Sequence, residues 1–442
     1  MLTGVKSRGS AKRGAVLIAV VVGAMMPGRA AAQGTASDET VTFTKHVLPI
    51  MQRSCQYCHR PESVAPMSLL TYEEVRPWAR AIKQRTTLRE MPPWFVERNV
   101  GVQGFKEDPS LTDEEIAIIA KWVDSGAPRG NPADAPPPVD FEDRDVWRIG
   151  TPEWIVYMPQ EETILPVDPD KWLDYRADSR LTEDRYIKAV ETKPAPGAYR
   201  VVHHATTRLV WENEDGSEGG GSLNEYAMGK NGDIYPEETG RLIKAGTKIG
   251  FNLHYSSIGR EVKDRTRVGL QFHPQGFQPK YEIVVEHVGD SFDTLDIRPG
   301  DSYVRTDGYK VLTKPAVLTG FQPHMHIRGR RMCLEAIRPS GQIETLSCTK
   351  VDFGWHIVYN YREDVQPLLE AGTILHVIGW HDNSSANRWN PDPKNWAGFG
   401  NRSIDDMAFS WTSYFYVSEE EFKQRVEVRK AQRAQQLSGS ND

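Results

Sequence analysis

The chain has 442 residues, with 39% hydrophobic and 26% charged side chains, a balance that suits folded soluble domains and excludes an intrinsically disordered protein. That length leaves room for about three domains. The formal net charge of -6 is too small to indicate nucleic-acid binding or strong attraction to a membrane surface.

In chain order, the first feature is a basic start (Lys6, Arg8, Lys12, Arg13), followed by an apolar run over residues 15–26 and small residues at Ala30, Ala31 and Ala32. This layout predicts a secretory signal peptide over residues 1–32, whose apolar run is too short for a comfortable membrane span. No later segment reaches spanning length. The mature protein is therefore expected to be periplasmic or secreted, with no membrane span.

Residues 40–127 read as one small helical domain, with helices expected over residues 44–51, 71–86 and 112–125. Thr112 followed by Glu115 fits a capping box, and Ile116, Ile118, Ile119 and Trp122 form an apolar stripe. Gly126 and Pro128 stop that helix. Residues 128–138, rich in Pro, Ala and Gly, read as a linker. Short alternating runs then follow over residues 199–210, 248–255, 281–287, 331–337 and 373–380, separated by turn residues. They predict two all-β sandwiches, over residues 139–276 and 277–417. Residues 216–222 read as a polar, glycine-rich loop. Residues 418–442 read as a charged C-terminal helix and tail, with Ser418 and Glu421 as its cap. The expected fold is multidomain: a small all-α domain followed by two β-sandwich domains.

The four cysteines are Cys55, Cys58, Cys333 and Cys348. The last two flank a turn at residues 339–342. In an oxidising compartment they can bridge the arms of a hairpin, the alternative being two unpaired buried thiols. The first two lie in Cys55-Gln56-Tyr57-Cys58-His59, the C-x-x-C-H attachment signature of covalent c-type haem. The thiols form thioethers and His59 is placed beneath the iron. A thioredoxin-like redox pair would need a βαβ pattern that this segment lacks. The segment resembles small class I cytochrome c domains, which implies an axial methionine in a loop before the final helix. Met91, in Met91-Pro92-Pro93-Trp94, suits that role; Met51 and Met67 are the other candidates.

Several of the twelve histidines are grouped: His203-His204, His254-Tyr255 and His324-Met325-His326. Residues two apart on a strand share a face, so His324 and His326 can grip one ion. Adjacent His203 and His204 point to opposite faces of a regular strand, so both can ligate only at a bulge or a strand end. Imidazole suits copper, zinc and iron alike, whereas a thioether ligand leans the choice toward copper.

The order His203-His204, His254-Tyr255, His324-x-His326-x-x-Gly329 and Asp405-Asp406-Met407 resembles the copper type II, ascorbate-dependent peptidylglycine and dopamine monooxygenase family. The resemblance covers residues 139–417. It implies jelly-roll-type sandwiches and two copper ions, one held by His203, His204 and His254, the other by His324, His326 and Met407. The second would activate dioxygen and the first would store an electron. The implied activity is hydroxylation of a C–H bond in a small-molecule substrate, with ascorbate or another one-electron reductant. A fused haem would then supply electrons in place of ascorbate or beside it, with a redox partner protein upstream. Two departures stand out. Gln322 and Trp411 replace an Arg and a Tyr of the peptide-amidating members, which argues against a C-terminal glycine peptide as substrate. His273, His287, His356, His376 and His381 have no matched role and are expected to be structural, with His381 the best placed of them behind the ligands. Competing readings are an exported haem and copper electron-transfer protein without oxygenase activity, and a binding module whose histidine order is accidental.

Overall fold

The computed structural model describes residues 40–61, 63–141, 145–228, 230, 232–290 and 294–439. The signal peptide expected over residues 1–32 lies outside them. Among the described residues no helix is long and apolar enough to cross a membrane.

A π-type turn at Phe43–Val47 runs into α1 (Leu48–Ser54). Next come α2 (Tyr72–Val75), a 3-10 turn (Arg76–Trp78), α3 (Ala79–Thr87) and α4 (Asp113–Asp124). The continuous helix expected over residues 71–86 is interrupted at Pro77, which has no N–H to give to the helical ladder. Thr112 and Glu115 make both bonds of the capping box at the start of α4. Ile119 and Trp122 then pack with Phe43, Val47, Met51, Val75 and Ile82 in a core of their own. The expected linker is tied down at both ends. The N–H groups of Phe43 and Thr44 each donate over 3.0 Å, to the carbonyls of Pro128 and Arg129. Gln52 donates to the Pro137 carbonyl at 2.8 Å.

Eleven strands build the first sandwich: β1 (Trp154–Tyr157), β2 (Glu162–Ile164), β3 (Lys171–Asp178), β4 (Arg185–Lys193), β5 (Val202–Glu212), β6 (Glu218–Ala227), β7 (Asp233–Ile234), β8 (Thr239–Ile243), β9 (Lys248–Tyr255), β10 (Val262–Asp264) and β11 (Arg267–Phe272). Nine more follow: β12 (Tyr281–Asp290), β13 (Val304–Val311), β14 (Ala316–Met325), β15 (Gly329–Ile337), β16 (Ile343–Lys350), β17 (Tyr359–Asn360), β18 (Leu368–Leu369), β19 (Ile374–His381) and β20 (Ala408–Tyr416). The terminal helix α5 spans Glu419–Gly439, and Ser418 Oγ accepts from the Glu421 N–H at 3.1 Å.

In the first half a β3-β9-β5-β6 sheet packs on β1-β11-β4-β8, burying Val190, Leu209, Phe251, Leu253 and Leu270 between them. In the second half β13-β19-β15-β16 packs on β12-β20-β14-β17 around Leu318, Phe321, Leu334, Leu375 and Tyr414. Each half is thus a sandwich with two apolar inner faces. A short parallel pairing, Tyr281 with Thr239 and Glu282 with Gly240, joins β12 to β8, so one sheet of each half belongs to a single ten-stranded sheet.

The glycine-rich stretch read as a loop is the start of strand β6. At Gly220 the φ angle is +124°, and a Cβ there would sit 1.9 Å from the Leu209 carbonyl oxygen, so the two backbones approach only because a side chain is missing. The period-2 signal is silent where there are no side chains to alternate. The Cys333–Cys348 disulfide is present, joining directly opposed residues of β15 and β16.

Residues 92–106, between α3 and α4, form a strap that leaves the helical core and lies on the second sandwich. Val96 bridges to Thr349 and Phe105 to Tyr361, while the N–H groups of Glu97 and Val102 donate to the carbonyls of Cys348 and Leu346. Trp94 packs edge-on against Tyr359 with ring centres 4.9 Å apart. The helical segment is therefore anchored through its own loop, not only through the linker.

Candidate metal centre

Strand β5 loses its regular register between Val202 and His204, where it pairs with β9. This is the irregularity that two adjacent histidines need in order to face one point. His204 pairs with His254 and His254 with Trp172 across neighbouring strands, which puts the three on one face. His203, the extra residue of the bulge, turns to the same side. Its ring centre is 5.6 Å from that of His204 and 4.8 Å from that of His254. Ligand atoms of His203, His204 and His254 all lie within 4.8 Å of one another, close enough for one ion. Asp170 fixes His254 by accepting from Nε2 at 3.2 Å, and Trp172 stacks on its ring at 4.3 Å. That bond makes Nε2 the donor and leaves Nδ1 as the lone pair.

On the second sandwich, His324 and His326 sit at the end of β14 with ring centres 5.3 Å apart. His324 is opposite Phe409 of β20 and stacks on it at 4.6 Å. Paired positions run down to Met325 with Ala408, where both strands end, and Met407 is the residue just before β20 as His326 is the one just after β14. His326 Nδ1 donates to the Asp405 carbonyl at 3.2 Å, which leaves Nε2 for a ligand role. Buried Asp406 holds the chain here, accepting from the N–H groups of His326, Arg328 and Met407 at 3.0, 3.2 and 2.9 Å. His381 stands behind it, Nε2 lying 3.3 Å from Asp406 Oδ1 and 3.3 Å from the Met407 carbonyl.

The two sets meet. Segment 353–356 of the second sandwich stands between them, its His356 N–H bonded to the Met228 carbonyl of the first half. Phe353 stacks on His203 at 5.1 Å and lies 5.9 Å from His326. His356 is 5.6 Å from His204 and 5.3 Å from His324 between ring centres. Its Nδ1 lies 3.3 Å from Oε1 of Glu225, and the side chains of both are buried. Sequence reasoning grouped His356 with the structural histidines. It has no neighbouring ligand motif, and its acidic partner lies on a strand of the other sandwich.

Electrostatics favours neutral imidazoles. Burial, with the rings of His356 and His254 close by, pushes His203 down to about 4. Burial likewise takes His204 and His324 well below their ordinary value. Burial opposes the charge on Glu225, yet His356, Lys230 and Gln322 together hold its carboxyl below the usual range. Nδ1 of His203, of His204 and of His324 are each buried without a hydrogen-bond partner. A buried ring nitrogen left so costs about 1–3 kcal/mol, and a metal ion would satisfy it. The donor set therefore fits an imidazole-bound ion at His203, His204 and His254, while the second place offers the two imidazoles of His324 and His326.

Gln322 is engaged on both sides. Its amide nitrogen donates to Glu225 Oε2, and its oxygen accepts from Lys230 at 3.3 Å. Lys230 in turn pairs with Asp233 at 3.4 Å. A cavity of about 80 Å³ beside them is lined by Gln322, Trp411, Tyr235, Thr319 and Ser413. The remaining histidines lie in other settings, and Nδ1 of His376 and of His381 is likewise buried without a hydrogen-bond partner. His376 lies 2.7 Å from Asp307, and His273 donates to the Thr239 carbonyl at 2.8 Å. His287 packs on Phe409 with ring centres 3.8 Å apart.

No family model and no curated protein matches the chain. Among solved structures it has a weak likeness to PNGF-II, at 12% identity over 59% of this chain and 65% of that one, with a TM-score of 0.27. A peptide-N(4)-(N-acetyl-β-D-glucosaminyl) asparagine amidase matches at 10% identity over 60% of this chain and 96% of its own, with a TM-score of 0.28. A tandem CBM22 domain from Paenibacillus barcinonensis matches at 6% identity, over 61% of this chain and 94% of its own, with a TM-score of 0.18. Likenesses at this level say nothing of activity.

In the helical segment, Cys55 caps the end of α1 and Cys58 and His59 follow on the next turn; the two thiols are not joined to each other. Burial, with Cys58 beside it, pushes the Cys55 thiol up to about 12, the opposite of an activated redox thiolate. His59 Nδ1 donates to the Met67 carbonyl at 3.2 Å, so Nε2 remains for an iron. These residues fit covalent haem attachment. The axial methionine is less well served. Met91 lines a cavity of about 200 Å³ with Trp94, Phe105, Leu111 and Ile116, and neither cysteine nor His59 is among its walls. Met51 is fully buried in the helical core, and Met67 contributes its carbonyl to His59.

Proposed function

We propose that the chain is an exported, copper-dependent monooxygenase that hydroxylates a C–H bond of a small substrate with dioxygen, of the type the histidine order resembles. The observation that carries this reading is the grouping of His203, His204 and His254 around one point, with buried ring nitrogens left unpartnered and His324 and His326 close by across Phe353 and His356. Bound copper supplies one-electron redox chemistry and an open position for dioxygen. Everything else belongs to the chain. His203, His204 and His254 would hold one ion, with Asp170 and Trp172 fixing the third ring. His324, His326 and Met407 would hold the other, with Asp405 and Asp406 fixing the strand end. Low basicity keeps the rings neutral and able to bind at physiological pH. Phe353, Phe409 and Trp411 line the histidines with apolar surface that excludes water. Gln322, already committed to Glu225 and Lys230, is not available to a substrate carboxylate, which favours a neutral or cationic substrate.

In the same reading Cys55, Cys58 and His59 carry a c-type haem that delivers electrons, replacing or supplementing ascorbate. The basic, apolar and small-residue pattern of residues 1–32 supports a periplasmic or secreted location, where such a haem is attached. Metal analysis of the holo-protein is expected to give two coppers and one haem per chain. Met407→Leu is expected to abolish substrate-dependent oxygen uptake by the ascorbate-reduced protein while leaving the haem spectrum unchanged. Zinc, a single copper or retained uptake would overturn the reading.

A further inference from the structure

The cavity of about 200 Å³ that Met91 lines is enclosed by the end of α3, the first turn of α4 and the strap. We infer that it receives the propionate edge of the haem, with Arg89 and Arg98 holding the two carboxylates and the strap forming the outer wall. This rests on the c-type haem reading above, in which Cys55, Cys58 and His59 carry the attachment.

A haem is an apolar ring with two carboxylates on the side away from its vinyl groups. A pocket for that side needs an apolar floor and cations at its mouth. Trp94, Val96, Phe105, Leu111 and Ile116 supply the floor. Arg89 and Arg98, whose side chains are half-exposed, converge on the same acceptors. They donate to the Leu111 carbonyl at 3.0 and 2.8 Å, and both reach Asp113. The Asp113 side chain is 81% exposed, so two guanidiniums share one well-hydrated counter-charge. Asp108, the carboxylate within the wall, is turned to the Ser110 N–H at 2.7 Å. A guanidinium carries five N–H groups in a planar fork, which leaves each arginine donors for a further carboxylate.

The position relative to the attachment motif agrees. Ile116 of the wall and Cys55 pack on the same helical core. Arg53, two residues before Cys55, donates at 3.3 Å to the carbonyl of Ser110, another wall residue. With the thioether edge of the ring at the end of α1 and the opposite edge in the cavity, the cysteines are not expected among the cavity walls. The volume, smaller than a whole macrocycle, suits one edge. Val96 and Phe105 also bridge to Thr349 and Tyr361, so the wall of the haem is at the same time its contact with the second sandwich.

Nuclear magnetic resonance of the dithionite-reduced holo-protein, in which ferrous low-spin haem and Cu(I) are both diamagnetic, tests this directly. With valine methyls labelled, the Val96 signals, identified by their loss in Val96→Ala, are expected far from the ordinary valine region because the haem ring current displaces them. Redox titration is the second reading. Removing a cation beside the propionates favours the ferric state, so replacing both Arg89→Gln and Arg98→Gln is expected to lower the ferrous-to-ferric ratio at a fixed ambient potential about tenfold, about 59 mV for one electron. The haem content per chain should stay unchanged. Arg98→Lys, which keeps the charge, should recover part of the loss suffered by Arg98→Gln. Val96 methyls at ordinary positions in a chain carrying one covalent haem would overturn the inference and leave the proposed function standing, and so would a ratio unchanged in the double variant. No covalent haem in the wild-type protein would bring down the haem reading together with it. The methyl shift is read on the wild-type chain, so it decides the question even if the arginine variants fail to fold.

Discussion

Asp406 has no exposed surface and its carboxylate serves three backbone N–H groups, those of His326, Arg328 and Met407. The bonds from His326 and Arg328 are buried and that from Met407 partly so, and a buried donor costs about 1–3 kcal/mol when left unmet. Asp406→Ala is therefore expected to destabilise the copper-free protein by at least about 2 kcal/mol, read as a lowered denaturant midpoint. A midpoint shift equivalent to less than about 1 kcal/mol would show that the donors find other partners. At this scale the sequence was informative where chemistry is written in spacing. The pairs His203-His204 and His324-x-His326 announce themselves, and strand geometry asks for a bulge or a strand end at the first pair if both rings are to ligate. His356 does not announce itself, because its nearness to His204 and His324 comes from strands far from it in the chain. His381 was placed behind the ligands by its company of polar residues, and it does touch Asp406 and the Met407 carbonyl.

The strap of residues 92–106 is the element that decides how the helical segment is held. Arg331 donates to both oxygens of Glu97, at 2.5 and 2.8 Å, beneath the Val96 bridge. Hydrogen bonds from Arg331 keep the Glu97 carboxyl below its ordinary range. A carboxyl lowered in the folded state stabilises it fully above the unfolded pKa, about 4.3, and that contribution disappears as pH falls through the lowered value. Amide protection at Val102 and Lys106, corrected for intrinsic exchange, should therefore hold between pH 8 and 5 and fall below about 4.3. In Glu97→Gln the acid-induced part of that fall should vanish; an identical fall in the variant would exonerate the pair. Little of this could be read beforehand. The run Met91-Pro92-Pro93-Trp94 signals an extended loop, but nothing in it says which surface the loop will meet. Trp94 and Phe105 pack on Tyr359. The residue-length helices and strands were better marked, since α4 and β9 carry caps or alternation of their own.

On the scale of the whole chain, Val41–Asp442 forms one compact unit. The β8–β12 pairing and the strap both tie parts that composition alone would separate. Unfolding of this unit is accordingly expected to be a single transition, with calorimetry, tryptophan fluorescence and far-ultraviolet circular dichroism coinciding. Two resolved transitions would show that the junctions are too weak to couple the halves. The two sandwiches were legible from their alternating strands and turn residues. The junction was not, because a parallel contact of two residue pairs leaves no periodic trace.

That shared sheet bears on how the centre can work. Enzymes that assemble a site between lobes often do so by swinging one lobe toward the other. Here backbone pairing at Tyr281 with Thr239 and Glu282 with Gly240 links one half to the next, and such a link resists swinging. The spacing between the histidine groups is then a dimension of the fold, settled when the chain folds. Adjusting what enters falls to the rim, to segments such as 353–356 that can be altered without moving that link.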